Sequence, residues 1–339
     1  MEAGGGVGAE NEQTDIIIVG GGICGLATAL AFHRKGIENV VVLEKSDKLR
    51  ATGAGIITQA NGWRALDQLG VAAKLRNTAV PISNMVGETR CLRRSDLLQA
   101  LADDLPLNTN QRFITPFYLL ILTRPFILDI SVVIGCDGVN SAVANFLGMK
   151  TTRLFSTCVV RDSMVSNDSK LIKQSSMETL TGFPQEELEM IRKSDPDHLF
   201  LTPLRYRAPW NLLLRRRFGE GSVAVAGDAM HAMGPFIAQG GAASLEDAVV
   251  LARCFAEMTS GIGIADRITS KEWNLRIEMA IDKYVKEWKM RVVKLSTETF
   301  LIGMILDSSW LPVKLICIAL MAILFHHTHS HTLYDCGQL

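Results

Sequence analysis

The sequence predicts an α/β fold with a parallel sheet, and three short apolar runs that end at or near glycine predict it. The runs are Asp15–Val19, Val132–Gly135 and Ser222–Ala226. Such runs are typical of parallel strands that are buried on both faces. The 339 residues leave room for one large or two ordinary domains. We therefore expect one sheet that is assembled from segments far apart in the chain.

The first strand leads into a glycine-rich turn and a helix. Gly20, Gly22 and Gly25 lie in the stretch GGGICG, and Ile23–Lys35 continues as a helix. In this motif the first glycine permits the turn, the second lets the backbone approach a pyrophosphate, and the third lets the helix lie close on the strand. Amides at the helix start then face the phosphates. The alternative is a glycine-rich turn that binds no ligand.

An acidic residue follows at the spacing that this motif requires. The apolar strand Val40–Leu43 ends at Glu44, which lies 24 residues beyond Gly20. An acid at this position holds a ribose hydroxyl in dinucleotide-binding folds. Because the glycines, the flanking elements and the acid agree, the sequence predicts dinucleotide binding.

A second glycine-aspartate site lies far along the chain. Gly227 and Asp228 follow the third apolar run, and Gly240 and Gly241 precede a helical stripe of apolar residues. Asp228 can accept a hydrogen bond from a ribose or ribityl hydroxyl, and the later glycines let the backbone approach a flat ring. The positive end of the helix would stabilise the anion that forms when a flavin takes a hydride. Taken alone, Asp228 and Ser244 would be turn and cap residues.

These blocks occur in the order found in a known family. They are GGGICG, Glu44, ETRCLRRSDLLQALADDLP at 88–106, GCDGVNSAV at 135–143, LRYRAPW at 204–210, the block at 227–248, and the terminal YDCGQL. The chain resembles plant FAD-dependent monooxygenases of the aromatic hydroxylase family, which includes salicylate hydroxylase-like and zeaxanthin epoxidase-like proteins. The resemblance implies a Rossmann-type FAD-binding domain, NADH or NADPH as co-substrate, and an aromatic or olefinic small-molecule substrate that receives oxygen.

The resemblance also implies roles for residues that the spacing alone leaves open. It places an FAD-contacting arginine at Arg94, beside Ser95 as N-cap of a helix from Asp96 to Asp104, although such an arginine is otherwise a solvated charge. Asp137 is expected near the pyrophosphate, with an Asx turn as the alternative. The predicted FAD site comprises Gly20, Gly22, Gly25, Glu44, Arg94, Asp137, Gly227, Asp228, Pro235, Gly240 and Gly241. No catalytic residue is predicted, because His231, the candidate base, is expected to pack beside the flavin.

The predicted organisation has five parts. They are a disordered tail (1–13), the first part of the FAD-binding domain (14–150, with 105–131 atypical), a reduced substrate domain (151–215), the second part of the FAD-binding domain (216–262) and a helical C-terminal region (263–339). Only 90 residues separate Asp137 from Asp228, where the family has a longer insert that roofs the substrate. We therefore expect a reduced substrate-binding sheet in a divergent copy, a splice variant or a faulty gene model. The family's glycine at Ala238 and arginine near Ala144 are also replaced.

Two further helices follow from sequence patterns. Pro184 suits the first turn of a helix that ends at Lys193. Apolar residues from Ile277 to Val292 recur at steps of three and four, which predicts a long amphipathic helix against the flavin domain. We expect this stripe to be core packing.

Composition and end segments bear on partners and location. Lys plus Arg equals Asp plus Glu at 35 each, so no nucleic acid or other polyanionic partner is expected. The seven cysteines form no C-x-x-C pair, and the first residues resemble neither a signal nor a transit peptide, so we expect a cytoplasmic protein with reduced thiols. The sequence gives no indication of the oligomeric state.

Two apolar segments and a histidine tract need separate interpretation. Prolines and charges interrupt Phe113–Ile134, so it is not a membrane span. Trp310–Phe325 is shorter than the roughly 20 residues that a span needs, which predicts a packed or interfacial helix and leaves peripheral membrane contact open. The following HHTHSH is expected to be a loop without a metal.

Three functions remain to be distinguished at this point. The first is an active monooxygenase. The second is an FAD-binding relative that is impaired or uncoupled because its roof is reduced. The third, an NAD-binding module without flavin, is disfavoured because the block at 227–248 would then have no task.

Overall fold

The computed structural model describes residues 16–46, 49, 55–83, 85–106, 111–113, 132–149, 152–153, 169–180, 182–195, 204–215, 218–259, 271–325 and 330–339. The predicted tail at 1–13 and most of the atypical segment 105–131 lie outside these residues. So do three histidines of the tract, His326, His327 and His329.

Short strands and helices are interspersed along the described part of the chain. The strands are β1 (Ile16–Val19), β2 (Val40–Glu44), β3 (Gly55–Thr58), β4 (Val80–Pro81), β5 (Arg90–Arg93), β6 (Gln111–Phe113), β7 (Val132–Gly135), β8 (Thr152–Arg153), β9 (Arg205–Tyr206), β10 (Gly219–Glu220) and β11 (Val223–Val225). The helices are α1 (Ile23–Arg34), α2 (Ala60–Leu69), α3 (Ala72–Arg76), α4 (Arg94–Asp103), α5 (Ala142–Phe146), α6 (Ser169–Thr179), α7 (Gln185–Lys193), α8 (Pro209–Leu214), α9 (Asp228–His231), α10 (Gly240–Thr259), α11 (Lys271–Asp307) and α12 (Leu311–Leu324).

A six-stranded sheet forms the centre of the molecule, and its strand order is β10-β11-β7-β1-β2-β6. The three predicted apolar runs form β1, β7 and β11, which lie side by side and parallel. Strand β1 also pairs in parallel with β2, and only the edge strand β10 is antiparallel to its neighbour. The predicted parallel sheet is therefore confirmed. All four residues of β1 are buried, as expected for a strand covered on both faces.

Three helices build most of the core around this sheet. Helix α1 packs against α10, where the rings of Phe32 and Phe255 lie 5.3 Å apart. Helix α10 in turn packs against the 37-residue helix α11. The predicted stripe of α11 is buried, from Ile277 to Val292, including Trp288. The long amphipathic helix and its role in core packing are thus confirmed.

The remaining described strands form two small sheets. Strands β3, β5 and β4 form an antiparallel sheet beside α2. Strands β8 and β9 pair through two residues each, and they are the strands that the structure describes in the predicted substrate region 151–215.

Three predicted helix starts differ from the observed ones by one or two residues. Helix α4 begins at Arg94, so Ser95 lies inside the first turn and is not the cap. Pro184 precedes α7 as its cap residue instead of lying in the first turn. Helix α10 begins at Gly240, two residues before the predicted start after Gly241, and the Ser244 hydroxyl donates to the Gly240 carbonyl at 2.9 Å inside the helix.

Candidate functional site

The glycines of the first turn divide into two kinds. Gly20 has φ 109°, and a Cβ atom there would lie 2.5 Å from the Cys136 carbonyl oxygen. A Cβ atom at Gly25 would lie 1.8 Å from the Gly20 carbonyl oxygen. Packing of the helix on the strand therefore requires glycine at both positions. At Gly22, by contrast, a Cβ atom would meet no protein atom within 4 Å, so the fold itself does not require glycine at the start of α1.

Glu44 lies at the end of β2 and contacts this same turn. Its carboxylate accepts hydrogen bonds from the Gly21 amide at 2.8 Å and from the Ser46 amide at 2.9 Å. Each carboxylate oxygen has a second lone pair. Glu44 can therefore hold the turn and accept a ribose hydroxyl as well.

Asp137 follows the neighbouring strand β7 and has one unsatisfied oxygen. Its Oδ2 accepts from the Ala142 amide at 2.6 Å, at the first residue of α5. Its Oδ1 is buried and has no hydrogen-bond partner in the part of the chain that the structure describes. A buried oxygen without a hydrogen bond destabilises the fold by roughly 1–3 kcal/mol. A hydrogen-bond donor from a ligand at this point would remove that destabilisation.

The glycine-aspartate turn after β11 lies against the same end of the sheet. Gly227 has φ 59°, and a Cβ atom there would lie 2.8 Å from the Cys24 Cβ. Asp228 is exposed to solvent, and protein atoms lie close around it. Desolvation raises the pKa of Asp228, and the positive charges of His231 and Arg94 oppose that rise.

A buried carboxylate that the sequence analysis did not identify holds this turn. Asp247, on α10, accepts from the Gly227 amide at 2.8 Å, from the Tyr284 hydroxyl at 2.5 Å and binds His231 Nε2 at 2.5 Å. Burial lowers the pKa of His231, but the charge of Asp247 outweighs it and the pKa is raised. His231 is fully buried and so orients the turn; it is not exposed to take a proton from a substrate. The acidic pair Glu246 and Asp247 inside an apolar helix was the available sequence signal.

Arg207 is a second buried charge that had no assigned role. It is 2% exposed, and its Nε donates to the Ala229 carbonyl at 3.0 Å, inside α9. Its Nη1 is buried without a partner among the described residues. Desolvation and the charge of Arg215 lower the pKa of Arg207 to about 10, and Asp137 and Asp228 act in the opposite direction. Arg207 therefore adds positive charge close to the two aspartates.

The loop before α10 is held by a network of amide side chains. Asn61 donates to Gln239 Oε1 at 2.8 Å and to Glu246 Oε1 at 2.5 Å. Ala238, where the family has glycine, lies in the left-handed region with φ 53°, which explains why glycine is easier to accommodate there. Pro235 opens a short 3-10 turn in this loop. A Cβ atom at Gly240 would meet no protein atom within 4 Å.

The predicted site residues converge on one region. Most of them follow the carboxyl ends of β1, β2, β7 and β11 or begin α1, α4 and α10. Strand β1 has β2, the next strand in the chain, on one side and the distant β7 on the other. The strand order therefore reverses at β1. Open α/β sheets bind ligands beyond the carboxyl ends of the strands at such a point. The unpaired Asp137 oxygen, the open space at Gly22 and the helix starts fit a dinucleotide. The described residues contain no cluster of metal-binding side chains.

Comparison with known proteins gives the same class of ligand. A family model described as FAD binding domain matches residues 13–117 and 185–273, together more than half of the chain. Monooxygenase 1 of Arabidopsis thaliana is 39% identical over 97% of this chain and 100% of its own length. Monooxygenase 2 of the same plant is 30% identical, over 97% and 99%.

Solved structures share the fold. A crystal structure of a Klebsiella pneumoniae HpxO variant complexed with FAD superposes with a TM-score of 0.69 at 16% identity, covering 95% of this chain and 99% of that chain. The tetracycline destructase Tet(51) gives a TM-score of 0.61 at 14% identity, covering 95% and 100%. At these identities the likeness concerns the fold alone.

The chain is shorter than its alignment with one of these relatives. The alignment with Monooxygenase 1 extends over 401 residues against the 339 of this chain, so at least 62 aligned positions have no counterpart here. The relatives nevertheless match almost from end to end. By its matched domain, its relatives and its fold, the chain belongs to the family of FAD-binding monooxygenases.

Proposed function

We propose that the protein uses NADH or NADPH and O2 to hydroxylate or epoxidise an aromatic or olefinic small molecule. The observation that carries this proposal is the convergence of an open glycine turn, a buried carboxylate oxygen without a partner among the described residues, and an exposed aspartate at one end of the sheet of an FAD-binding monooxygenase fold. Bound FAD would supply the hydride acceptance and oxygen activation that amino-acid side chains do not provide.

The chain's own residues would bind and orient that cofactor. Gly22 and the amides at the start of α1 would receive the pyrophosphate. Glu44 would accept a ribose hydroxyl, and Asp228 a hydroxyl of the ribityl chain. The start of α10 would direct its positive end at the ring and stabilise negative charge there.

Asp247 stabilises this arrangement from the buried side of the turn. It fixes the backbone amide of Gly227 and the ring of His231, which are the residues at either end of the turn that carries Asp228. A carboxylate that holds both ends limits the motion of the turn. Asp247 and His231 are therefore positioning residues, and the proposal assigns them no proton transfer.

The test is reconstitution followed by turnover. Purified protein is loaded with FAD, its absorbance band is recorded, and release of FAD on denaturation is measured. The loaded protein is then given NADH or NADPH with a panel of phenolic acids and carotenoids, and oxygenated product is measured by mass spectrometry. Oxygenated product that depends on FAD supports the proposal, and a colourless protein that takes up no FAD contradicts it.

A second candidate is an FAD-binding relative that does not couple reduction to oxygenation. The observation that favours it is the deficit of at least 62 positions relative to Monooxygenase 1, together with the two-residue strands β8 and β9 in the predicted roof. In that case each NADH or NADPH oxidised, with one proton, would reduce one O2 to H2O2, and the peroxide yield distinguishes the two candidates.

A further inference from the structure

Helix α12 carries an apolar surface that faces solvent. Its 14 residues, LPVKLICIALMAIL, include one charge, Lys314, and no acid. Only Cys317 is buried. The large apolar side chains exposed in and beside it are Trp310, Leu311, Leu315, Ile316, Ile318, Leu320, Ile323 and Leu324, between 39% and 71% exposed.

The exposed residues extend around more than half of the helix. At 100° per residue, the positions from Ile318 round to Leu320 cover an arc of about 200°. The opposite side, with Val313, Cys317 and Met321, packs on the end of α11. Ordinary soluble monomers rarely expose contiguous apolar surface of this kind. The exposed arc therefore indicates an interaction surface.

A second exposed apolar element lies beside it. Helix α8 exposes Trp210, Leu213 and Leu214. The Trp210 ring contacts the Phe300 ring edge to face at 5.3 Å, and Phe300 also packs in the cluster beneath α12. The apolar surfaces of α8 and α12 thus flank the same part of α11.

The shape and composition of this surface favour a bilayer over a second copy of the chain. A partner protein would cover one side of α12 and leave much of the 200° arc in water, whereas lipid can surround all of it. A helix of 14 residues is about 21 Å long, shorter than the roughly 30 Å hydrocarbon core. No described helix is long and apolar enough to span a membrane. Tryptophan, exposed here at 210 and 310, is enriched where lipid meets water.

The charges around the surface are compatible with this assignment. Lys314 lies in the first turn of α12, and Arg215 directly follows α8. Asp307, at the end of α11, is the acid near the helix start. With so few charges, apolar burial would supply most of the binding free energy.

We propose that α12, together with the exposed side of α8, docks the protein on the surface of a phospholipid bilayer. Helix α12 would lie in the plane of the interface, with its exposed arc among the acyl chains and its inner side on α11.

The experiment measures binding of the full chain, loaded with FAD, to vesicles of phosphatidylcholine with and without phosphatidylserine. The variant Ile316→Glu/Ile323→Glu places two charges in the exposed arc, and it should bind roughly tenfold less or weaker still, because two apolar side chains no longer enter lipid. The matched control is Leu275→Glu/Met279→Glu, which makes the same change at exposed positions of α11, about 30–40 Å from Phe300 along that helix. The control should bind like the parent.

Other outcomes overturn the proposal. They are a parent protein that does not bind vesicles, equal loss in the control, and binding that salt abolishes. A parent dimer that the α12 variant dissociates would assign the surface to a second copy instead. A large fall in melting temperature of the α12 variant, without vesicle binding by the parent, would show that another part of the chain covers the helix. If the double variant fails to fold, Ile323→Glu alone, at a position 71% exposed, replaces it.

Discussion

At the level of single residues, substitutions at two glycines of one turn should have different effects, one on FAD binding and the other on stability. Gly22→Val should leave the fold intact, because no protein atom lies within 4 Å of a Cβ atom there, and should abolish FAD retention, because the side chain would occupy the space of the pyrophosphate. Gly25→Ala should lower the free energy of unfolding by roughly 1–3 kcal/mol or more, because its Cβ atom would meet the Gly20 carbonyl. Circular dichroism and chemical denaturation measure the folding and stability of each variant, and the amount of FAD bound per chain measures its retention of the cofactor. A folded Gly22→Val protein that retains FAD would contradict the assignment.

Asp228 should contribute directly to FAD affinity. Asp228→Ala removes one charge-assisted hydrogen bond to the sugar-like chain, so FAD binding should weaken by roughly 1.5–3 kcal/mol, about ten- to hundredfold. Fluorescence titration of the apoprotein with FAD gives the dissociation constant. Asp96→Ala, which changes a half-buried aspartate at the start of α4, is the control. Equal affinity of the Asp228 variant and the parent would mean that this residue serves the turn alone.

The pair formed by His231 and Asp247 should make stability depend on pH. Burial lowers the pKa of His231, but Asp247 raises it overall in the folded protein. The protonated pair therefore stabilises the fold fully below the unfolded pKa of about 6.5, and this contribution is lost as pH rises through the higher folded value. The stability difference between parent and His231→Gln should accordingly shrink as pH rises above about 6.5, the ordinary pKa of histidine.

Tyr284→Phe is the matched control for that measurement. It removes the other side-chain hydrogen bond to Asp247, and burial raises the pKa of Tyr284 well above its ordinary value, so the phenol stays neutral. Its stability difference from the parent should stay constant over the same range. A His231→Gln difference that is flat or grows with pH would show that His231 is neutral when folded.

At the scale of elements, one buried ion pair joins three segments. Arg291 of α11 donates to both oxygens of Glu246 on α10 at 3.1 Å and to the His331 carbonyl of the C-terminal segment at 2.7 Å. Arg291→Ala would leave Glu246 buried without its cation and should cost about 3–5 kcal/mol of stability. Lys193→Ala, which breaks an exposed pair with Glu189, should change stability by less than about 1 kcal/mol. Urea denaturation compares them, and similar effects for both variants would refute the structural role.

The same pair links the C-terminal segment to the candidate flavin site. Glu246 accepts from Asn61, and Asn61 also holds Gln239 in the loop before α10. The terminal segment is fixed independently by Arg64, which donates to the Thr332 carbonyl at 2.5 Å and the Tyr334 carbonyl at 2.8 Å. The last residues of the chain are therefore part of the packing that supports this loop.

For the molecule as a whole, we expect the substrate region that the sequence predicts to be shortened to reduce coupling between reduction and oxygenation. Fewer walls around the ring admit water, and a wet site loses the low-dielectric surroundings in which preorganised groups stabilise charge. We expect FAD-loaded protein to convert most of the NADH or NADPH that it oxidises into H2O2. The amounts of peroxide and of oxygenated product are measured relative to the amount of NADH or NADPH oxidised. Product nearly equal to nucleotide, with little peroxide, would contradict this prediction.

The parallel strands β1, β7 and β11, the glycine turn and the helices α1 and α11 could be predicted from the sequence alone, because each follows from residues close together in the chain. Burial on both faces produces a continuous apolar run, and amphipathic packing produces the stripe from Ile277 to Val292. The glycines, Glu44 and Asp228 of the FAD site were predicted from local spacing, whereas Arg94 and Asp137 were assigned through the family resemblance. Their contacts with FAD stay predictions. Helix starts were displaced by a residue or two because backbone bonding, and not a capping side chain, sets them at α4 and α10.

Which charges are buried and which apolar faces are covered depends on how the elements pack. Asp247 meets Tyr284 37 residues away, and Arg291 meets Glu246 45 residues away. The acids inside the apolar helix α10 could be noticed in the sequence, but their distant partners could not be identified from it. Arg207 likewise gained its place beside Asp137 and Asp228 through folding alone. Helix α12 could be predicted as apolar, but its exposed arc depends on how much of its circumference α11 covers. Periodicity reports which residues share a face, and packing decides what that face contacts.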